Sequence, residues 1–173
     1  MDITILIVEA LKFIFPAYCA NAVPVIAGGG RQMDFGKNFF DGKPVFGKNK
    51  TFRGFFFGLA VGILVGVVES FVFSYPFSFS VMFSVLSPFG ALFGDLAGAF
   101  LKRRLGIAPG GLLPVVDQID FVVGAILFSL PFFSLPLTVT YWELAIAVII
   151  ITPPIHLLTN FSAYKLKLKE NPW

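Results

Sequence analysis

The chain has 173 residues, of which 57% are hydrophobic and only 13% charged, with a formal net charge of +3. A mean hydropathy of +0.86 excludes a soluble globular domain carrying one greasy helix. The single cysteine, Cys19, excludes an internal disulfide and a cysteine-rich metal centre, and reads as a small apolar residue within a span.

In chain order the sequence predicts an all-α, polytopic integral membrane protein with about five transmembrane helices, forming one domain over residues 1–173. Each predicted span is near the ~20 residues that cover the hydrocarbon core. The first covers residues 3–26. No Lys or Arg precedes it, so it lacks the basic start of a cleaved signal and is expected to persist. It holds Glu9 and Lys12, which are expected to pair, and Asn21 and Pro24 near its inner end. A polar loop, 27–53, follows with Arg31, Lys37, Lys43, Lys48, Lys50 and Arg53. The second span, 54–74, repeats small residues at every fourth position: Gly54, Gly58, Gly62, Gly66 and Ser70. Such a stripe lets another helix approach closely, either within the chain or at a homodimer seam. Glu69 lies near its outer end, where it is expected to snorkel.

An uncharged link, 75–80, leads to the third span, 81–101, with its own small surface at Gly90, Ala91, Gly94, Ala97, Gly98 and Ala99. The second basic loop, 102–116, opens with Lys102, Arg103 and Arg104. The fourth span is 117–136 and the fifth 142–160, with a lone His156 expected to be structural. The tail carries Lys165, Lys167 and Lys169. Pro16, Pro131 and the Pro153-Pro154 pair are expected to bend or interrupt their helices. Every Lys and Arg except Lys12 falls in the two basic loops or the tail. The positive-inside rule then gives N-terminus out and C-terminus in, with both basic loops cytoplasmic.

Charge beside a bilayer is costly, so the cluster across residues 94–120 marks a functional site. Asp95 precedes Lys102 by nearly two turns, about 10 Å along a helix, so carboxylate and cation share a face. Asp117 and Asp120 fall together on the next helix, able to share a hard metal ion. Asp117 can instead cap that helix. Lys102 and Arg103 suit phosphate, whereas Arg104 reads as an anchor to lipid headgroups. In the first loop, Gly28-Gly29-Gly30, Asp41-Gly42-Lys43 and Gly47-Lys48-Asn49-Lys50-Thr51 suit a mobile backbone cradle that closes over phosphates, although the Walker A spacing is absent.

These residues resemble the CTP-dependent lipid cytidylyltransferases. Asp95-Leu96, Lys102-Arg103, Asp117-Gln118-Ile119-Asp120 and Lys50-Thr51-Phe52-Arg53-Gly54 carry the likeness. Asn21-Ala22-Val23-Pro24, Asp34-Phe35-Gly36 and Asp41-Gly42 extend it along nearly the whole chain, toward the archaeal branch, the CDP-archaeol synthases. The bacterial pattern departs at Ala99, at Ile107-Ala108-Pro109 and at Leu113-Pro114-Val115.

The resemblance implies a Mg²⁺-dependent transfer of CMP from CTP to an isoprenoid glycerol phosphate lipid in the cell membrane. It implies no nucleic-acid partner. Together with the site chemistry it assigns catalysis to Asp95, Lys102, Arg103, Asp117 and Asp120, and metal binding to Asp95, Asp117 and Asp120. Nucleotide binding falls to Asn21, Lys48, Lys50, Thr51 and Arg53. Two rivals are weaker. A proton-coupled transporter would use Glu9, Glu69 and Asp95. A CDP-alcohol phosphotransferase needs a dense run of spaced aspartates that this chain lacks.

Overall fold

A computed structural model describes residues 2–130, 139–169, 171 and 172. Its described helices are α1 (Ile3–Ala27), α2 (Phe52–Val72), α3 (Phe77–Arg104), α4 (Val116–Ser129) and α5 (Tyr141–Lys165). Among the described residues, α1, α2, α3 and α5 are each long and apolar enough to cross a membrane. The predicted fourth span, 117–136, is helical as far as Ser129, and Pro131 lies outside the described residues.

The helix ends follow from local chemistry. Asp2 Oδ1 accepts from Thr4 N at 2.8 Å and starts α1. Thr51 caps α2, and Thr140 and Glu143 form a reciprocal capping box on α5. Both α1 and α5 run on through their prolines, so of the expected bend or interruption, Pro16, Pro153 and Pro154 bring no interruption. α3 is longer than predicted and carries Lys102, Arg103 and Arg104 in its last turn. It ends in a Schellman motif: Ile107 N donates to Lys102 O and Gly106 N to Arg103 O, each at 3.0 Å, with Gly106 at φ +79°.

Small residues set the packing. The α2 glycines all face inward, which gives the stripe its role within the chain. A Cβ at Gly58 would lie 2.6 Å from the Ala20 carbonyl oxygen of α1, and one at Gly62 would lie 2.6 Å from Pro88 of α3. Association inside a bilayer has no hydrophobic drive, so this van der Waals closeness is what holds the helices.

The α3–α4 seam is closer still. Cβ atoms at Gly94 or Gly124 would collide with the Asp120 and Gly90 carbonyl oxygens respectively. That backbone-on-backbone contact carries Asp117 and Asp120 against the face of α3 that bears Asp95. The buried core, including Phe13, Ile14, Phe121, Val122, Leu144 and Val148, knits α1, α4 and α5 together. Tyr18 Oη and Thr152 Oγ1 add a 2.9 Å hydrogen bond across α1 and α5.

Candidate active site

The end of the bundle where α1 and α3 finish and α2 and α4 begin gathers the basic segments. Residues 28–51, which the sequence reads as a mobile backbone cradle, are tied down by hydrogen bonds within the loop. They fold on Asp34, whose Oδ2 accepts from Phe46 N at 3.0 Å and Gly47 N at 2.7 Å while Oδ1 accepts from Gly36 N at 3.0 Å. Burial alone would raise the Asp34 carboxyl, but the donors from Gly47, Phe46 and Gly36 outweigh it and hold it below the ordinary carboxylate range. Met33 N to Lys50 O at 2.9 Å and Phe52 N to Arg31 O at 3.0 Å close the base of the loop.

Arg104 then clamps this loop to α3. Nη1 donates to Asp41 Oδ1 at 2.7 Å, Nη2 to the Lys43 and Pro44 carbonyl oxygens, and the guanidinium lies 4.7 Å from the Phe39 and Phe100 ring centroids. The expectation of a lipid-headgroup anchor is therefore wrong: planar guanidinium suits a many-armed protein contact. Lys43 Nζ returns a 2.9 Å bond to Arg104 O at the α3 C-terminus.

The closed base of the loop aims Lys50 inward. Its ammonium donates to both Asp95 oxygens, at 2.6 and 2.5 Å. Lys102 donates instead to Asp117 Oδ2 at 2.7 Å. The shared helical face of Asp95 and Lys102 thus resolves into two separate ion pairs. Asp117 is not the α4 cap, a position held by Val115 at φ +68°. Asp117 Oδ2 also accepts from Leu113 N at 2.9 Å, closing the turn around that β-branched residue.

Asp120 is partly buried, with Oδ1 accepting from Phe121 N at 2.7 Å, and it feels the charges of Asp95, Lys50 and Asp117. Its carboxylate occupies the space that a Cβ at Gly98 would take. Arg103 is 4% exposed, and its Nε and Nη1 find no acceptor among the described residues. It lies beneath the first loop: a Cβ at Gly47 would meet Pro109 Cγ at 3.1 Å and Arg103 Cδ at 3.9 Å.

The other predicted nucleotide contacts spread around this centre. Thr51 is buried, and its Oγ1 accepts from Gly54 N at 3.2 Å, a capping role that fixes where Lys50 and Arg53 emerge. Arg53 is exposed with its guanidinium 5.9 Å from the Phe57 centroid, Lys48 is exposed, and Asn21 is partly buried near the end of α1.

Glu9 and Lys12 pair at 2.8 Å as expected. Glu69 does not snorkel; it is 7% exposed. Both glutamates sit toward the opposite end of the bundle from Asp95, which leaves the transporter reading without a connected relay. His156 packs on Phe121 with ring centroids 5.9 Å apart and lies 3.2 Å from Asn160 Nδ2, in keeping with a structural role.

Sequence reasoning gave Asp34 no role of its own and used the tail lysines for topology alone. The Asp34-Phe35-Gly36 turn signal was there to be read as an Asx turn.

Among the described residues no three carboxylate, histidine or cysteine side chains converge into a ready metal cage. The donor set still fits Mg²⁺, which keeps several waters and binds through one or two carboxylates plus substrate phosphates. Asp95, Asp117 and Asp120 offer such hard oxygens beside the Lys50, Lys102 and Arg103 cations.

Comparison with known proteins identifies the family. The family model for CDP-archaeol synthase (CarS-like) matches residues 3–173. The chain belongs to the CDP-archaeol synthase family. A CDP-archaeol synthase from Methanococcus maripaludis strain C5 is 45% identical over 183 residues, covering 100% of both chains. One from Pyrococcus furiosus is 44% identical over 169 residues, covering 96% of this chain and 98% of its own. A solved intramembrane enzyme of archaeal membrane lipid biosynthesis matches with a TM-score of 0.79 at 37% identity, covering 89% of this chain and 94% of its own. The protein is therefore a multi-pass membrane enzyme, a CTP-dependent cytidylyltransferase of archaeal lipid synthesis.

Proposed function

We propose that the chain transfers CMP from CTP to a digeranylgeranylglyceryl phosphate, releasing pyrophosphate and leaving CDP-archaeol in the membrane. The 173 residues act as one transmembrane domain with the site on the cytoplasmic side. The observation that carries this reading is the paired arrangement Lys50–Asp95 and Lys102–Asp117 beside the buried Arg103 guanidinium. Two carboxylates and two ammoniums, paired with one another, offer oxygens that would suit a hard cation and cations that suit phosphate.

A lipid phosphate oxygen attacks the α-phosphorus of CTP in line, and the bond to the bridging oxygen breaks to release pyrophosphate. Lys50 and Arg53 hold the nucleotide phosphates from the first loop. Lys102 and Arg103 meet the reacting phosphates from the end of α3, where guanidinium donors neutralise charge developing in the transition state. Asp95, Asp117 and Asp120 are the residues that would hold Mg²⁺. When bound, it screens the repulsion between the two anionic reactants and polarises the phosphoryl oxygens. No covalent enzyme intermediate is required. The isoprenoid tails remain in the bilayer.

The test is purified protein with Mg²⁺, a digeranylgeranylglyceryl phosphate and CTP labelled at the α-phosphate. Label is expected in the lipid, with an equal yield of pyrophosphate. Hydrolysis of CTP without labelled lipid would overturn the reading. The orientation has its own test in sealed vesicles of known sidedness. Single cysteines at Lys48 and Ser74, in a Cys19→Ala background, should react from opposite faces. Labelling of both from one face would sink it.

A further inference from the structure

The C-terminal tail is the segment that the reaction above leaves unused. α5 ends as α3 does, in a Schellman motif: Leu168 N donates to Ala163 O and Lys167 N to Tyr164 O, each at 2.9 Å. At α3 the left-handed position is Gly106. At α5 it is Lys167, at φ +59°. A lysine there is strained where glycine would not be, so the surroundings must hold the reversal in place.

That reversal turns Leu168 and Lys169 away from the helix axis. Asn171 completes the docking: a Cβ at Gly110, in the loop between α3 and α4, would lie 3.7 Å from Asn171 Nδ2. Gly110 follows Pro109, which in turn lies against Gly47 of the first loop. The tail thus lies against the second loop and the second loop against the first, one continuous layer at the end of the bundle that holds the ion pairs. Lys169 is partly buried within it, although lysine is among the residues least often buried.

We infer that Lys169 is a third ammonium of the site, one that binds a phosphate of CTP or of the lipid substrate and brings the tail down on it. The inference rests on the CMP-transfer reading and adds a substrate-binding residue to it. Electrostatics at Lys169 agree. Burial and the neighbouring Lys50 and Lys102 ammoniums push it below the usual lysine value, while Asp117 and Asp95 draw it the other way. Lys169 thus shares the electrostatic field of two lysines and two aspartates of the site. Phosphate arriving in that field relieves the repulsion among the three ammoniums.

The experiment is steady-state kinetics with CTP and digeranylgeranylglyceryl phosphate varied in turn, on wild type, Lys169→Ala and Lys169→Arg, with melting of each protein as a companion measurement. Lys169→Ala should raise one KM by about tenfold or more, the loss expected for one charge-assisted phosphate contact. Lys169→Arg should recover most of it. A rise in the KM for CTP assigns the contact to the nucleotide, and a rise in the KM for lipid assigns it to the lipid phosphate. Unchanged KM values with unchanged kcat in Lys169→Ala would overturn the inference while leaving CMP transfer intact. An equal loss of kcat and of melting temperature in both variants would reduce Lys169 to a structural role and overturn it too. Wild-type protein that turns over no CTP would sink both readings together.

Discussion

Lys50 and Asp95, 45 positions apart in the chain, meet through both carboxylate oxygens at 2.6 and 2.5 Å. This contact joins the base of the first loop to α3 and sets one ammonium beside the carboxylates of α4. Each side chain keeps about a quarter of its surface, 25% for Lys50 and 24% for Asp95. The pair is thus neither a solvent-screened surface bridge nor a sealed one, and its partners can separate when a substrate arrives.

Lys50→Met should raise the KM for CTP by tenfold or more, with a smaller change in kcat. Asp95→Asn should abolish turnover. The double variant separates structure from chemistry. Removing both charges spares the uncompensated partner, so its loss of stability should fall short of the sum of the single losses by about 1–2 kcal/mol, as charge-assisted bonds commonly contribute. Its activity should stay at the Asp95→Asn level. Recovery of turnover in the double variant would mean that the pair is only structural.

Asp34 governs the shape of the first loop. Asp34→Asn turns one acceptor oxygen into a donor facing Phe46 N and Gly47 N, so about 2 kcal/mol of loop stability should be lost. Amide exchange at Gly36, Phe46 and Gly47 should accelerate, and the KM for CTP should rise because Lys50 is no longer held. The pH dependence has a fixed sign. The folded carboxyl lies below its ordinary value, so its stabilisation is present above the unfolded value near ~3.9. It is lost as pH falls through the lower folded value. Loop protection should therefore fall with acid in the native protein and stay flat across the same window in Asp34→Asn. Equal acid sensitivity in the two would remove Asp34 from this role.

How far the sequence foretold this arrangement depends on the range of each interaction. The spans were legible because apolar length is a local property, and α1, α2 and α5 begin or end within about two residues of expectation. The glycine rows at 54–66 and 90–98 were legible as close-packing surfaces, but their partners were not. That α4 would lie along Gly90, Gly94 and Gly98 depends on Gly124 and on the Asp120 carbonyl, more than twenty positions away.

The same limit hid the pairing within the site. Helical spacing put Asp95 with Lys102, whereas the fold gives Asp95 to Lys50 and Lys102 to Asp117. No periodicity carries a contact made by a loop. Arg104 was misread for the same reason: its acceptors at Asp41, Lys43 and Pro44 lie more than sixty positions upstream or nearly so, in a segment read as open.

Arg104 gives a prediction that separates the two readings of it directly. A headgroup anchor would lose little on truncation, since an exposed cation near anionic lipid contributes about 1 kcal/mol to membrane attachment and nothing to substrate binding. A clamp between loop and helix should matter more. Arg104→Ala should raise the KM for CTP several-fold and expose the 37–46 segment to protease, while membrane insertion stays normal. Arg104→Lys should recover only part, because a point charge cannot serve three acceptors and two ring faces together. Wild-type kinetics and protease resistance in Arg104→Ala would restore the anchor.

The aspartates of α4 provide the sharpest test of the metal assignment. Asp117 is already bound to Lys102 and Leu113 N, and Asp120 is fitted into the space left by Gly98. Each could be important for packing alone, so loss of activity by itself decides nothing. A ligand role predicts more. Asp117→Asn and Asp120→Asn should each lower kcat by at least about 100-fold while the protein still inserts and melts normally, since second-sphere losses around a metal already reach 10–100-fold. Asp120→Glu, one methylene longer, should fail as well, because Gly98 leaves room for the shorter chain only. EDTA should stop the native enzyme and Mg²⁺ should restore it. Any Asn variant with residual turnover should need a higher Mg²⁺ concentration for half-maximal rate. If the Mg²⁺ requirement of such a variant matches that of wild type, the carboxylate in question holds the fold and another group holds the ion.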